Sequence, residues 1–183
     1  MDRPTDSSDR SPAGAPDLRV SVVCSGNICR SPLGAVVLRA ALAEAGLGHR
    51  VEVTSAGIGD WHVGQPANPR AVRVLRAAGY LDTDHVAHQI TSDEIAGLDL
   101  VLAADRGHLK ALRRLADDPA KVRLLRSFDP AADVDEVPDP YYGPDSGFDD
   151  VLTKTRAAVP GVVEEIRGRL DEAPTPGRPS RGP

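Results

Sequence analysis

Along the chain, short and almost unbroken apolar runs alternate with longer stretches in which apolar residues recur every three or four positions. LRVSVVC at 18–24 is β-branched and reads as a buried strand. SPLGAVVLRAALAEAGL at 31–47 is rich in helix formers, with Pro32 near its start and Gly46 near its end. RVEVTSAG at 50–57 predicts a second strand, and NPRAVRVLRAAG at 68–79 predicts a helix capped by Asn68 and ended by Gly79. LDLVLAA at 98–104 reads as a third strand, DRGHLKALRRLAD at 105–117 as the helix behind it, and KVRLLRSF at 121–128 as a fourth strand. A long polar loop through DPAADVDEVPDPYYGPDSG leads into a closing helix at 147–170, which Pro160-Gly161 is expected to kink or split.

Strand alternating with helix predicts an α/β fold: one three-layer domain, with a four-stranded parallel sheet covered on both faces by helices. In such folds the ligand sits beyond the carboxyl ends of the strands, where the chain direction reverses. Cys24 ends the first strand, and Asp139-Pro140-Tyr141-Tyr142 follows the fourth, so position alone marks both as site candidates.

Composition narrows the function classes. The 183 residues suit a single domain, and with aromatics at 3% the core must be aliphatic. A net charge of −5 argues against non-specific nucleic-acid binding. No apolar stretch approaches a membrane span, and no charged n-region followed by an apolar run opens the chain. Two cysteines with only four residues between them do not suggest a disulfide framework. The expectation is a reduced, cytoplasmic protein that contacts neither membrane nor nucleic acid. Residues 1–17 are polar and rich in Pro, Ser and Asp, residues 172–183 are similar, and both read as disordered tails around a domain at 18–171.

The candidate chemistry lies in CSGNICRSP, which runs from the first strand into a helix start. Backbone N–H groups in such a loop can converge into an anion nest, and the helix dipole adds positive potential there. Gly26 and Asn27 tolerate the backbone angles this needs. Ser25, Gly26, Asn27, Ile28 and Cys29 would frame a phosphate, and Arg30 adds a planar fork for two of its oxygens. Cys24 at the base of that nest would be drawn towards thiolate and could attack phosphorus in line, with Ser31 giving a hydroxyl hydrogen bond to the sulfur.

This stretch resembles, nearly residue for residue, the signature loop of the low-molecular-weight protein tyrosine phosphatases. Asp139-Pro140-Tyr141-Tyr142-Gly143 is similar to that family's general-acid loop, about a hundred residues downstream as the family has it. The resemblance covers roughly 18–171. It implies phosphotyrosine-protein substrates, a phosphocysteine intermediate on Cys24, a phosphate clamp by Arg30, and Asp139 as acid and then base. It places Trp61 of the SAG…WH segment beside Tyr141 or Tyr142 at the substrate cleft. It further implies a reversible Cys24–Cys29 disulfide, and a tyrosine kinase acting on Tyr141 or Tyr142. No metal or other cofactor is expected: His85 and His88, near Asp82 and Asp84, have no further ligand cluster to support a metal site.

The chain departs from the family pattern at two points. His88 stands where the family often has Arg, and Asp105-Arg106-Gly107-His108 replaces its D-x-x-N. Among rivals, an arsenate reductase needs further cysteines downstream, and none follows Cys29. Protein-arginine phosphatases tend to have Thr where this loop has Ile28, which favours a phenyl phosphate substrate. A catalytically dead phosphate-binding module would normally lack Cys24, Arg30 or Asp139. A dinucleotide-binding fold would carry G-x-G-x-x-G after its first strand.

Overall fold

A computed structural model describes residues 15–172 of the chain. The tail expectations for 1–14 and 173–183 lie outside the described residues. Asp17, assigned to the first tail, is tied to Arg50: its N–H donates to the Arg50 carbonyl at 2.8 Å, and its carboxylate takes the Arg50 Nε at 2.6 Å.

Four strands form one parallel sheet: β1 (Leu18–Cys24), β2 (Val51–Gly57), β3 (Leu100–Ala103) and β4 (Val122–Leu124), in the order β2-β1-β3-β4. The helices are α1 (Arg30–Glu44), α2 (Pro69–Ala77), α3 (Ser92–Ala96), α4 (Arg106–Leu115) and α5 (Ser146–Glu172). Side-chain alternation along β1 sends Val20, Val22 and Cys24 into a core shared with α1, α2 and α5. Val23 goes to the other face, where Val101, Ala103 and Val122 pack with Ile95 of α3 and Leu112 of α4. The chain steps from β1 to β2 on one side, then crosses to β3 on the other. That reversal puts the switch point at the carboxyl end of β1, where Cys24 lies.

Three expectations change. The fourth strand pairs only over Val122–Leu124, because β3 offers three partners; Leu125–Phe128 then turns as a 3-10 helix. α3 was not foreseen, though Thr91 and Glu94 form a reciprocal capping box at its start. α5 is neither split nor interrupted at Pro160. Its buried stripe runs unbroken through Phe148, Val151, Leu152, Thr155, Val159, Val162, Ile166 and Leu170, on both sides of the proline. Burying several such aliphatic side chains, at about 1.5–3 kcal/mol each, outweighs the roughly 3 kcal/mol of an interior proline.

Candidate active site

Residues 25–29 form the turn between β1 and α1. Asn27 sits at φ 58°, the only described non-glycine residue with positive φ, and its side chain over-determines that conformation. Its Nδ2 donates to Ser31 Oγ at 2.9 Å and to Ser55 Oγ at 3.0 Å, while its Oδ1 accepts the His88 N–H at 3.0 Å. His85 Nε2 lies 2.6 Å from the Asn27 carbonyl. Burial pushes the His85 ring below the usual histidine range, so it donates to that carbonyl as a neutral imidazole. His85 and His88 therefore support the loop from behind, His88 through its backbone N–H, while its ring contacts Glu94 at 2.9 Å.

The end of β2 closes over the same loop. Ile58 N–H donates to the Cys24 carbonyl at 2.9 Å and Gly59 N–H to the Ser25 carbonyl at 3.0 Å. Among the described residues, the backbone N–H groups of Ser25 through Arg30 have no protein acceptor, which leaves this turn with donors for an anion.

Cys24 and Cys29 are both buried and free. Cys24 Sγ is 3.0 Å from Ser31 Oγ, the contact expected from the sequence. Burial pushes the Cys29 thiol up to about 12, with Cys24 and Asp139 adding to the effect, so Cys29 is a neutral thiol beside Cys24. Arg30 is only 4% exposed in its side chain, and four contacts hold its guanidinium. Nη1 donates to Asp105 Oδ2 at 2.9 Å and to the Val137 carbonyl at 3.1 Å; Nη2 donates to Ser25 Oγ at 3.3 Å and to Asp139 Oδ2 at 3.3 Å. Burial alone would raise the Asp105 carboxyl, but the His108 N–H, the His108 ring and Arg30 together hold it below the usual carboxylate range. His108 Nε2 lies 2.8 Å from Ser25 Oγ, and burial pushes this ring down against the pull of Asp105.

Above the loop opens a cleft of about 470 Å3, lined by Cys24, Ser25, Ile28, Arg30, Asp139 and the aromatic group Trp61, His62, Tyr141 and Tyr142. Trp61 is 67% exposed and Tyr142 95% exposed, so both are rim residues, with Tyr141 set edge-on to Tyr142 at 4.8 Å between ring centroids. Gly26 and Cys29 also line the cleft; Asn27, expected in the phosphate-binding set, does not, because its side chain faces the network behind.

The cleft thus brings the thiol and guanidinium of one loop together with a carboxylate from a stretch more than a hundred residues away, onto one anion-sized nest. A model of the family described as low molecular weight phosphotyrosine protein phosphatase matches residues 19–171. The chain belongs to that family. Among phosphatase relatives, the low molecular weight protein-tyrosine-phosphatase of Streptomyces coelicolor is 52% identical over 159 residues, covering 84% of this chain and 96% of that protein. A protein tyrosine phosphatase from Entamoeba histolytica, solved with Hepes in its active site, superposes with a TM-score of 0.80 at 27% identity, covering 84% of this chain and 99% of that one. Wzb of Vibrio vulnificus, solved in complex with benzylphosphonate, gives a TM-score of 0.71 at 28% identity, covering 81% of this chain and 99% of that one.

Sequence reasoning missed several residues of this phosphatase site. His62 was visible only as the neighbour of Trp61, and Asp105 only as part of a departing motif. His85 and the Val137 carbonyl carried no local signal for their roles.

Proposed function

We propose that the chain hydrolyses phosphotyrosine in proteins, and other aryl phosphates, through a phosphocysteine on Cys24. The observation that carries this reading is the convergence of Cys24, Arg30 and Asp139 on one cleft, with Asp139 Oδ2 3.3 Å from the Arg30 guanidinium. Loop N–H groups and Arg30 hold the equatorial oxygens of the phosphoryl group. The Cys24 thiolate attacks phosphorus, the bond to the phenolic oxygen breaks, and protonated Asp139 gives its proton to that oxygen. Water then attacks phosphorus, Asp139 takes its proton, and the S–P bond breaks to return thiolate and release phosphate. Ser31 Oγ, 3.0 Å from the sulfur, donates to it whenever it carries charge.

The aromatic rim and Ile28 favour a flat apolar leaving group over a charged guanidinium. Benzylphosphonate bound to the Vibrio relative has that shape. The catalytic unit is residues 18–171, and a nucleophile that acts only when reduced suits the cytoplasm. Tyr142, the most exposed aromatic of the rim, is the better presented of the two tyrosines for a kinase.

The test is phosphate release from a phosphotyrosyl peptide under reducing conditions, by the native enzyme and by Cys24→Ser. Turnover that disappears in the variant supports the reading. No turnover by folded, reduced native protein overturns it, and phosphoarginine becomes the next substrate to try.

A further inference from the structure

Asp139 is half exposed on a loop that reads Val137-Pro138-Asp139-Pro140-Tyr141-Tyr142-Gly143, so something beyond its own burial must hold it over the cleft. On the upstream side the hold is clear. Val137 N–H donates to the Ala104 carbonyl at 2.8 Å, and the Val137 carbonyl accepts Arg30. On the downstream side the hold next to the acid comes from Arg70, at the start of α2, while Arg73 reaches only the Asp145 carbonyl further along, at 3.4 Å. Its Nη2 donates to the Tyr141 carbonyl at 2.7 Å, its Nη1 to the Gly143 carbonyl at 3.1 Å, and Asp145 Oδ1 is 3.8 Å from Nη1. The guanidinium lies over the Phe148 ring at 4.5 Å from its centroid, which fixes the plane of the fork. Arg70 is itself set by its helix start: Pro69 occupies the first turn, and Asn68 Oδ1 accepts the Arg70 N–H at 2.9 Å.

Tyr141, whose carbonyl this fork holds, is also the residue that orients the acid. Tyr141 N–H donates to Asp139 Oδ1 at 3.1 Å, and Arg30 donates to Oδ2. Asn68 N–H also donates to the Ile28 carbonyl of the phosphate loop at 2.7 Å, so the residues that launch Arg70 are referenced to the loop where phosphorus would sit. We propose that Arg70 is a positioning residue for proton transfer, setting the distance between the Asp139 carboxyl and the leaving-group oxygen. The proposal rests on the reading of Asp139 as general acid.

Such a residue has a signature that a merely structural one lacks. A phenolate with the ordinary tyrosine pKa of about 10 needs its proton in the transition state, whereas dinitrophenolate leaves without one. The experiment compares kcat/KM for phosphotyrosine and for 2,4-dinitrophenyl phosphate in the native enzyme, Arg70→Lys, Arg70→Gln, Asp139→Asn and the Arg70→Lys/Asp139→Asn double variant. The ratio of the two substrates is read, because the fraction of folded enzyme cancels from it. The expected result is a ratio lowered about tenfold in both Arg70 variants, with dinitrophenyl phosphate turnover changed by no more than about twofold. In the double variant, Arg70→Lys should add nothing to the ratio of Asp139→Asn. Equal loss on both substrates, an unchanged ratio, or full additivity in the double variant would overturn the proposal. If Asp139→Asn alone leaves the ratio unchanged, the general-acid reading itself fails and the proposal falls with it.

Discussion

Gly57 offers the sharpest test of how the phosphate loop is shaped. A Cβ added there would lie 2.9 Å from the Ser25 carbonyl oxygen, 3.0 Å from the Gly26 carbonyl carbon and 3.1 Å from the Asn27 nitrogen. All three neighbours are backbone, so no side chain can swing aside. Its own backbone angle is not of the positive-φ kind, and alanine would meet no conformational strain there. Relief to ordinary contact requires the loop, or the end of β2, to move by roughly 0.3–0.5 Å, an overpacking cost of about 1–3 kcal/mol. β2 is held by its own bonds to His88 and Ile90, at 2.9 Å each, so the loop takes a share of the movement. If about 1 Å of misplacement costs around a hundredfold in rate, half of that predicts a fall of roughly tenfold in kcat/KM for Gly57→Ala. Competitive inhibition by sulfate, which needs only the nest, should weaken in parallel. Gly46→Ala is the control: φ there is 74° and nothing lies within 4 Å, so stability should fall by about 1 kcal/mol with activity intact. A Gly57→Ala enzyme with native kcat/KM and native sulfate inhibition would refute the claim that this glycine sets the loop.

Two further outcomes follow from the same geometry. His85 and His108 are both held neutral by burial, below the ordinary 6.5, so protons bind the unfolded chain more readily than the native one. Their contribution is complete above pH 6.5 and is lost as pH falls through their depressed native values. Urea midpoints should therefore drop from pH 7 towards pH 5, less steeply in His85→Gln, whereas Asp105 acts only at lower pH, because its carboxyl starts from 3.8 and is pulled down. A midpoint that holds or rises over that range would contradict the assignment. At the rim, Trp61→Ala and Tyr142→Ala remove exposed rings, so thermal stability should change by less than about 0.5 kcal/mol. KM for a phosphotyrosyl peptide should rise about 2–12-fold, the equivalent of roughly 0.5–1.5 kcal/mol of ring contact.

The sheet, its neighbours and the phosphate loop were legible because their causes are local. A β-branched run makes β1, a glycine and an asparagine permit the turn, and Ser31 lies only seven residues from the sulfur it contacts. That Pro160 does not split α5 was hidden for the opposite reason: a proline acts within one turn, while the stripe that holds α5 together spans Phe148 to Leu170.

What keeps the site in working order is carried by pairs far apart in the chain. Arg30 meets Val137 across 107 residues and Asp139 across 109, His108 meets Ser25 across 83, and Arg70 meets Tyr141 across 71. Arg70, His108 and the Val137 carbonyl do not announce themselves, since an arginine at a helix start or a histidine in a helix reads equally well as solvated surface. They become visible once the parallel order β2-β1-β3-β4 sets the carboxyl ends of β1 and β3 side by side. The Cys24 loop then leaves one of those ends, and Asp105 and His108 follow the other. The acid loop, entering later, has to be fastened to both. Arg30 and Ala104 hold its near end and Arg70 its far end, so where the Asp139 carboxyl stands over the cleft is a property of the assembled sheet and of no single motif.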